Sequence, residues 1–187
     1  METVHLASAS QRRASMLEAL GCDIVQVPLR APERPHRRGI PISEQVSNTL
    51  LGKIESAQRE CSGSIVIVAD TLVEDPDDSL QPLGQPANRR EALNMLLCLS
   101  GRNHRVWTGT ALIQGDNVES WVESATVSIE KLDEDVLEAL IVSDSWRGKA
   151  GGYDFAGAMG KFATIIDGDE ETVLGFTPQL FNALRND

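Results

Sequence analysis

Aromatic side chains are scarce in this chain. One Tyr, three Trp and four Phe stand among 187 residues, and no two are placed so that they read as a stacking sandwich for a planar ligand. Cysteine is equally sparse: Cys22, Cys61 and Cys98 are odd in number, widely spaced and set beside apolar residues. That pattern fits reduced structural thiols better than disulfides or a zinc site. No run of about 18 apolar residues occurs, so no membrane span is read. The first residues lack the positive flank and long apolar stretch of an export signal, and the chain is expected to stay in the cytoplasm. Positive charge is also in deficit, the formal net charge being −11. Broad binding to nucleic acid or to an anionic membrane, which needs extended positive potential, is therefore not expected. The length suits one domain with a substantial core, and no internal repeat or low-complexity segment is present.

The charge deficit is uneven. Residues 1–60 hold eight Lys and Arg against seven Asp and Glu, whereas residues 61–187 hold nine against twenty-one. The basic side chains thus gather in the segment with the clearest anion-binding pattern. There an apolar run over residues 4–7 passes through Ser8, Ala9, Ser10 and Gln11 into Arg12 and Arg13. This reads as a strand opening into a helix. Ser10 can cap the first turn, backbone N–H groups are free there, and two guanidiniums sit in the same turn, so a polyphosphate suits it. Arg30, Arg34, Arg37 and Arg38 follow among several prolines, either as further cations or as a solvated loop.

Periodicity predicts the remaining elements. Residues 12–20 form a helix stopped by Gly21, and residues 24–27 a short strand. Val46, Leu50, Ile54 and Ala57 recur at helical spacing within a long helix over residues 43–60, with Lys53 off that stripe. Residues 65–69 are a β-branched run, predicted as a central strand that carries Asp70 at its C-terminal tip. Residues 74–86 are acidic and proline-containing and read as irregular. Asn88 and Glu91 open a helix running to Leu99 in a capping-box-like pattern. Residues 105–113 and 118–129 are strands of an antiparallel hairpin, and Asp133 caps a helix reaching Val142. The glycine-dense loop 148–153 precedes a strand over residues 162–166 and a helix over residues 178–184. The alternation points to an α/β protein, a single domain over residues 1–187 with a mixed sheet flanked by helices.

If strand tips gather at one edge of that sheet, Ser8, Ser10, Arg12 and Arg13 meet Asp70. One carboxylate among cations can hold a divalent metal and orient water while the cations neutralise phosphate oxygens. The alternative is that Asp70 is a turn residue closing a strand. His104 and Thr108 read as structural, and so does Lys149 unless the glycine-rich loop brings its ammonium to the ligand.

Four motifs in order along the chain resemble those of the Maf-like nucleotide pyrophosphatases. They are Leu6 to Arg13 (Leu-Ala-Ser-x-Ser-Pro-Arg-Arg in the family), Ala69 to Val73 (Ala-Asp-Thr-Val-Val), Leu99 to Gly109 (Leu-Ser-Gly-Arg-x-His-x-Val-x-Thr-Gly), and Gly148 to Tyr153 (Gly-Lys-Ala-Gly-x-Tyr). The resemblance implies one elongated domain with a strongly twisted mixed sheet. It also implies hydrolysis of a nucleoside triphosphate at the α–β phosphoanhydride, on pyrimidine triphosphates in one branch and on modified nucleotides in another. Carried over by residue, Ser8, Arg12 and Arg13 would hold the triphosphate and Lys53 would contact phosphate; Ser10 from the helix-cap reading and Lys149 from the glycine-rich loop join them as substrate-binding candidates. Asp70, Lys53 and Glu33 would carry catalysis, Asp70 as general base and Asp70 with Glu33 as ligands to Mg²⁺ or Mn²⁺. The family often forms homodimers, and the hairpin bearing Trp107 and Trp121 is a candidate surface for one.

Three positions depart from the pattern. Gln11 stands where the family has Pro, Gln85 where it has a phosphate-binding Lys, and Ala156 where it has a site-facing Gln. Loss of one oriented charge or donor from a transition-state site costs about 2.7–4 kcal/mol. The expected function is an active pyrophosphatase of altered specificity; the alternative is a catalytically weak nucleotide-binding regulatory protein.

Overall fold

The computed structural model describes residues 3–30 and 39–186. Its strands are β1 (Val4–Leu6), β2 (Ile24–Gln26), β3 (Ile65–Asp75), β4 (Asp78–Leu83), β5 (Asn103–Gln114), β6 (Asn117–Ile129) and β7 (Ala163–Asp167), and its helices are α1 (Gln11–Ala19), α2 (Ile42–Glu60), α3 (Arg89–Leu99), α4 (Glu134–Val142), α5 (Glu170–Leu174) and α6 (Pro178–Asn186). The strands form one 7-stranded sheet in the order β2-β1-β3-β5-β6-β7, with β4 paired to β3. β1 runs parallel to β2 and β3, and the other pairings are antiparallel. This is the mixed α/β sheet expected from the alternation of elements.

Helix starts follow the capping residues in the sequence. Ser10 accepts from Arg13 N at the head of α1, Asn88 from Glu91 N at α3 and Asp133 from Val136 N at α4. Glu91 reaches back to Ala87 N at 2.9 Å, a reciprocal bond that satisfies a second orphan donor. Ile42, Val46, Leu50, Ile54 and Ala57 bury one stripe of α2. Leu50, Ile54 and Ala57 pack on Val66, Val68, Ala111 and Ile113, while Ile42 and Val46 meet Leu72. The same helix therefore crosses β3 and β5 along its whole length, and Lys53 leaves it beside β3.

Two expectations change. Residues 74–86 are not irregular: β3 continues to Asp75 and turns into β4, with Val73 opposite Leu83 and Asp75 opposite Asp78. The turn is built by carboxylates acting as backbone acceptors, Asp75 Oδ1 from Asp77 N and Asp78 Oδ1 from Leu80 N. β4 is an edge strand, where Asp78 and the N–H-less Pro82 are tolerated because no second neighbour has to be paired. The short helix α5 was also absent from the pattern. Trp107 and Trp121 are half-buried against core residues of this chain, and Trp107 Nε1 donates to Glu74 at 2.9 Å.

The longer β3 moves Asp70 from a strand tip to mid-strand. On one side β3 pairs with β5 throughout Ile65 to Val73. On the other, β1 covers Ile65 to Ile67 and β4 begins only at Val73. The interval between them is an interruption in one edge of the sheet, and Asp70 lies within it. Its backbone carbonyls need donor partners from outside the sheet.

Candidate active site

Arg13 fills that need. It is 9% exposed, and its guanidinium donates from Nη1 to Ala69 O at 3.2 Å and to Ser8 Oγ at 3.4 Å, from Nη2 to Thr71 Oγ1 at 2.9 Å, and from Nε to Gly175 O at 2.9 Å. The side chain thus ties α1, β3 and the end of α5 together where backbone pairing stops. Gly175 has φ +110, and a Cβ there would lie 3.0 Å from Arg13 Nε, so only glycine permits the approach. The network extends as Thr71 Oγ1 meets Thr108 Oγ1 at 2.9 Å and Thr108 donates to Thr172 O at 2.7 Å. Burial pulls the Arg13 guanidinium down to about 10, and nearby Asp70 opposes the shift. Arg13 therefore stays cationic at neutral pH.

Above this floor opens a cavity of about 610 Å³. Ser8, Ser10, Arg12, Arg13, Lys53 and Asp70 all line it. Lys53 reaches it from α2 and closes on Asp70 Oδ1 at 2.6 Å. Asp70 Oδ2 is buried and has no hydrogen-bond partner among the described residues. A buried carboxylate oxygen left unmatched in a cavity is unfavourable without a proton, water or cation to meet it. Arg12 presents a guanidinium whose Nε is likewise buried and unpartnered. Desolvation lowers its pKa, with Asp154 and then Tyr153 opposing. Ser8 Oγ accepts from Ser10 N at 3.1 Å, which shapes the turn leading into α1.

Lys149 does not line the cavity, although its neighbours Gly148 and Ala150 do. Its ammonium lies 3.7 Å from Asp154. Glu33 lies outside the described residues, as do Arg34, Arg37 and Arg38. Of the departing positions, Gln85 faces the cavity, whereas Ala156 is exposed on a turn and does not line it. Arg30 and Lys161 are exposed and lie off the lining, Lys161 sitting over the Phe162 ring.

Several lining residues escaped the sequence reading. Thr71 follows Asp70 in a motif, yet its role as an Arg13 acceptor appears only once the strands are paired. Arg59, which lines the cavity from α2 as Lys53 does, adds a cation held near Ser56 at 3.2 Å. Tyr153 is buried and meets His104 Nε2 at 2.8 Å. Burial raises the Tyr153 hydroxyl well above its usual range and lowers His104 to about 4. His104 is thus neutral and structural, as read from its isolation.

Among the described residues the lining holds Arg12, Arg13, Lys53 and Arg59 against Asp70 and Glu55. It is a cationic recess in a chain of net charge −11. For a divalent ion the hard, unpartnered Asp70 Oδ2 is a suitable first ligand, since such ions take carboxylate oxygens and complete their shells with water and phosphate. A second cluster, Asp75, Asp77 and Cys98, brings ligand-type atoms within 4.8 Å of one another. None of the three lines the cavity, and Asp77 is chelated by Arg102. No helix among the described residues is long and apolar enough to cross a membrane.

Known proteins match this chain along almost its whole length. Residues 3–186 fit the profile of the family described as Maf-like protein. A dTTP/UTP pyrophosphatase of Bacillus cereus is 34% identical over 175 residues, spanning 94% of this chain and 84% of its own. One of Bacillus anthracis is 33% identical over 175 residues, spanning 94% and 90%. Among solved structures, the Ham1 protein of Staphylococcus aureus superposes on 68% of this chain and 72% of its own with TM-score 0.45 and 13% identity. With its motifs, its mixed sheet and a profile match from residue 3 to residue 186 in agreement, the chain belongs to the Maf-like protein family.

Proposed function

We propose that the protein is a nucleoside triphosphate pyrophosphatase that cleaves the α–β phosphoanhydride, releasing a nucleoside monophosphate and pyrophosphate. The observation that carries this reading is the Asp70 carboxylate, fixed through Oδ1 by Lys53 at 2.6 Å while Oδ2 stays unpartnered in a cation-lined cavity. The names of the Bacillus relatives support the reaction and make dTTP and UTP the first substrates to try.

In this reading Asp70 Oδ2 takes the proton of the attacking water, and Lys53 holds the carboxylate through Oδ1 so that Oδ2 stays unpartnered toward the cavity. Arg12, the free N–H groups at the head of α1, and Ser8 and Ser10 meet phosphate oxygens, and Lys149 supports them from the edge. Arg13 acts from below, since its donors already serve Ala69, Thr71, Ser8 and Gly175. A divalent cation, Mg²⁺ or Mn²⁺, would be held by Asp70 and Glu33 and would neutralise charge on the reacting phosphates. Pyrophosphate leaves as charge on its bridging oxygen is stabilised by the cations around it. Gln85 puts an amide where the family pattern has a cation, which favours a substrate range different from the pyrimidine triphosphates, modified nucleotides included.

The test is a panel of canonical and modified nucleoside triphosphates with Mg²⁺ or Mn²⁺, followed by pyrophosphate release. Turnover by the wild type and its loss in Asp70→Asn, at unchanged melting temperature, supports the proposal. Binding without turnover on every substrate contradicts it.

A further inference from the structure

Asp154 stands apart from the other carboxylates near the site. Its Oδ1 is buried, has no hydrogen-bond partner among the described residues, and lies 3.9 Å from Arg12 Nη1 and 3.7 Å from Lys149 Nζ. Lys53 and Asp70, by contrast, have closed to 2.6 Å. Two cations therefore share one anion, and both distances are longer than a hydrogen bond. The backbone around Asp154 is pinned on both sides. Tyr153 is bonded to His104, and the Asp154 carbonyl accepts from Gly157 N at 3.1 Å and Met159 N at 3.3 Å. A Cβ on Gly157 would fall 2.7 Å from Asp154 Oδ2, so a larger residue at 157 would displace the carboxylate from this position.

We propose that Asp154 is an internal counter-charge, acting through Arg12 and Lys149 rather than by touching substrate, that weakens their hold on phosphate and so lets pyrophosphate leave. Two effects compete. The carboxylate pre-aims two long side chains, which favours binding, and it cancels part of their charge, which opposes it. The first effect is small here, because burial already confines Arg12 and Lys149, with side-chain exposures of 18% and 23%. The second acts on every charge of a polyanion at once, in a recess where solvent screens poorly. Charge cancellation therefore wins. The inference rests on the phosphate-binding role proposed above for Arg12 and Lys149.

Calorimetric titration with inorganic pyrophosphate at low ionic strength tests it, using the wild type, Asp154→Asn, Asp154→Ser, and Asp154→Asn combined with Lys149→Met. Both charge-removing variants are expected to bind about 3- to 10-fold more tightly than wild type, and the gain is expected to shrink in the Lys149→Met background. With a triphosphate substrate, KM should fall by a similar factor without a rise in kcat, a split that loss of folding would not produce. Unchanged or weaker pyrophosphate binding in both variants overturns the proposal, as does a gain undiminished by Lys149→Met or an absence of binding by any of the proteins. A wild type that binds pyrophosphate yet turns over no triphosphate contradicts the pyrophosphatase reading and leaves the counter-charge comparison intact.

Discussion

Replacing Arg13 by lysine separates two jobs that the sequence cannot tell apart. Seen only as one of a pair of arginines at a helix head, Arg13 is a phosphate ligand, and its loss would lower activity without unfolding the protein. In the structure it is a fastener, with Ala69 O, Thr71 Oγ1, Ser8 Oγ and Gly175 O as its acceptors. A lysine ammonium has no planar fork and cannot span acceptors arranged around a guanidinium. Each buried acceptor left unpaired costs about 1–3 kcal/mol. With two acceptors abandoned and some relaxation of the rest, the expected loss is about 3–4 kcal/mol. A domain of roughly this size loses about 2–4 °C per kcal/mol, so the melting temperature should drop by roughly 6–16 °C. Thermal unfolding followed by circular dichroism measures this directly. A shift under about 2 °C together with severe loss of turnover would refute the reasoning and return Arg13 to the substrate.

Lys53→Met should lower kcat by about 10²–10³ through loss of an oriented charge at the reacting centre, with a smaller effect on melting temperature than Arg13→Lys; steady-state kinetics beside thermal melts check both. His104 gives a pH dependence of defined sign. Its ordinary value of 6.5 falls to about 4 in the folded chain because burial disfavours the charged ring. Above pH 6.5 the ring is neutral in both states. As pH falls from 6.5 toward 4 the unfolded chain takes up a proton that the folded chain refuses, so stability is lost across that window, by about 3 kcal/mol in total. Melting temperatures against pH should fall less steeply through this range in His104→Gln than in wild type, and parallel curves would contradict the assignment.

Much of the architecture was legible because it follows from short-range rules. Ser10, Asn88 and Asp133 mark helix starts by side-chain acceptance, and the Val46, Leu50, Ile54 stripe marks α2 by period. The hairpin of β5 and β6 follows from two apolar-rich runs around a polar turn. What could not be read depends on pairing between distant segments. β3 runs on past Asp70 because β5 pairs with it and because the carboxylates of Asp75 and Asp78 build a turn into β4, and acidic composition alone points away from strand. The candidate site residues Ser8, Arg12 and Asp70 were legible as residue types in motifs and Lys53 through the family resemblance, and all four line one cavity. The structural work of Arg13 was hidden, since three of its acceptors lie on β3 and beyond α5. Asp154 was hidden for the same reason: its relation to Arg12 joins opposite ends of the chain. Ala156 shows the converse error, a motif position expected in the site that lies exposed outside it.

In the proposed reaction water, activated at Asp70, attacks the α-phosphorus of a triphosphate gripped by the cations of this cavity. Hydrolysis, in isotopically heavy-oxygen water, of the nucleoside triphosphate that the substrate panel shows to be turned over fastest, with products resolved by phosphorus NMR and mass spectrometry, decides this. A labelled nucleoside monophosphate and unlabelled pyrophosphate are expected from the wild type, and neither from Asp70→Asn. Label in the pyrophosphate, or release of nucleoside diphosphate and phosphate, would contradict it.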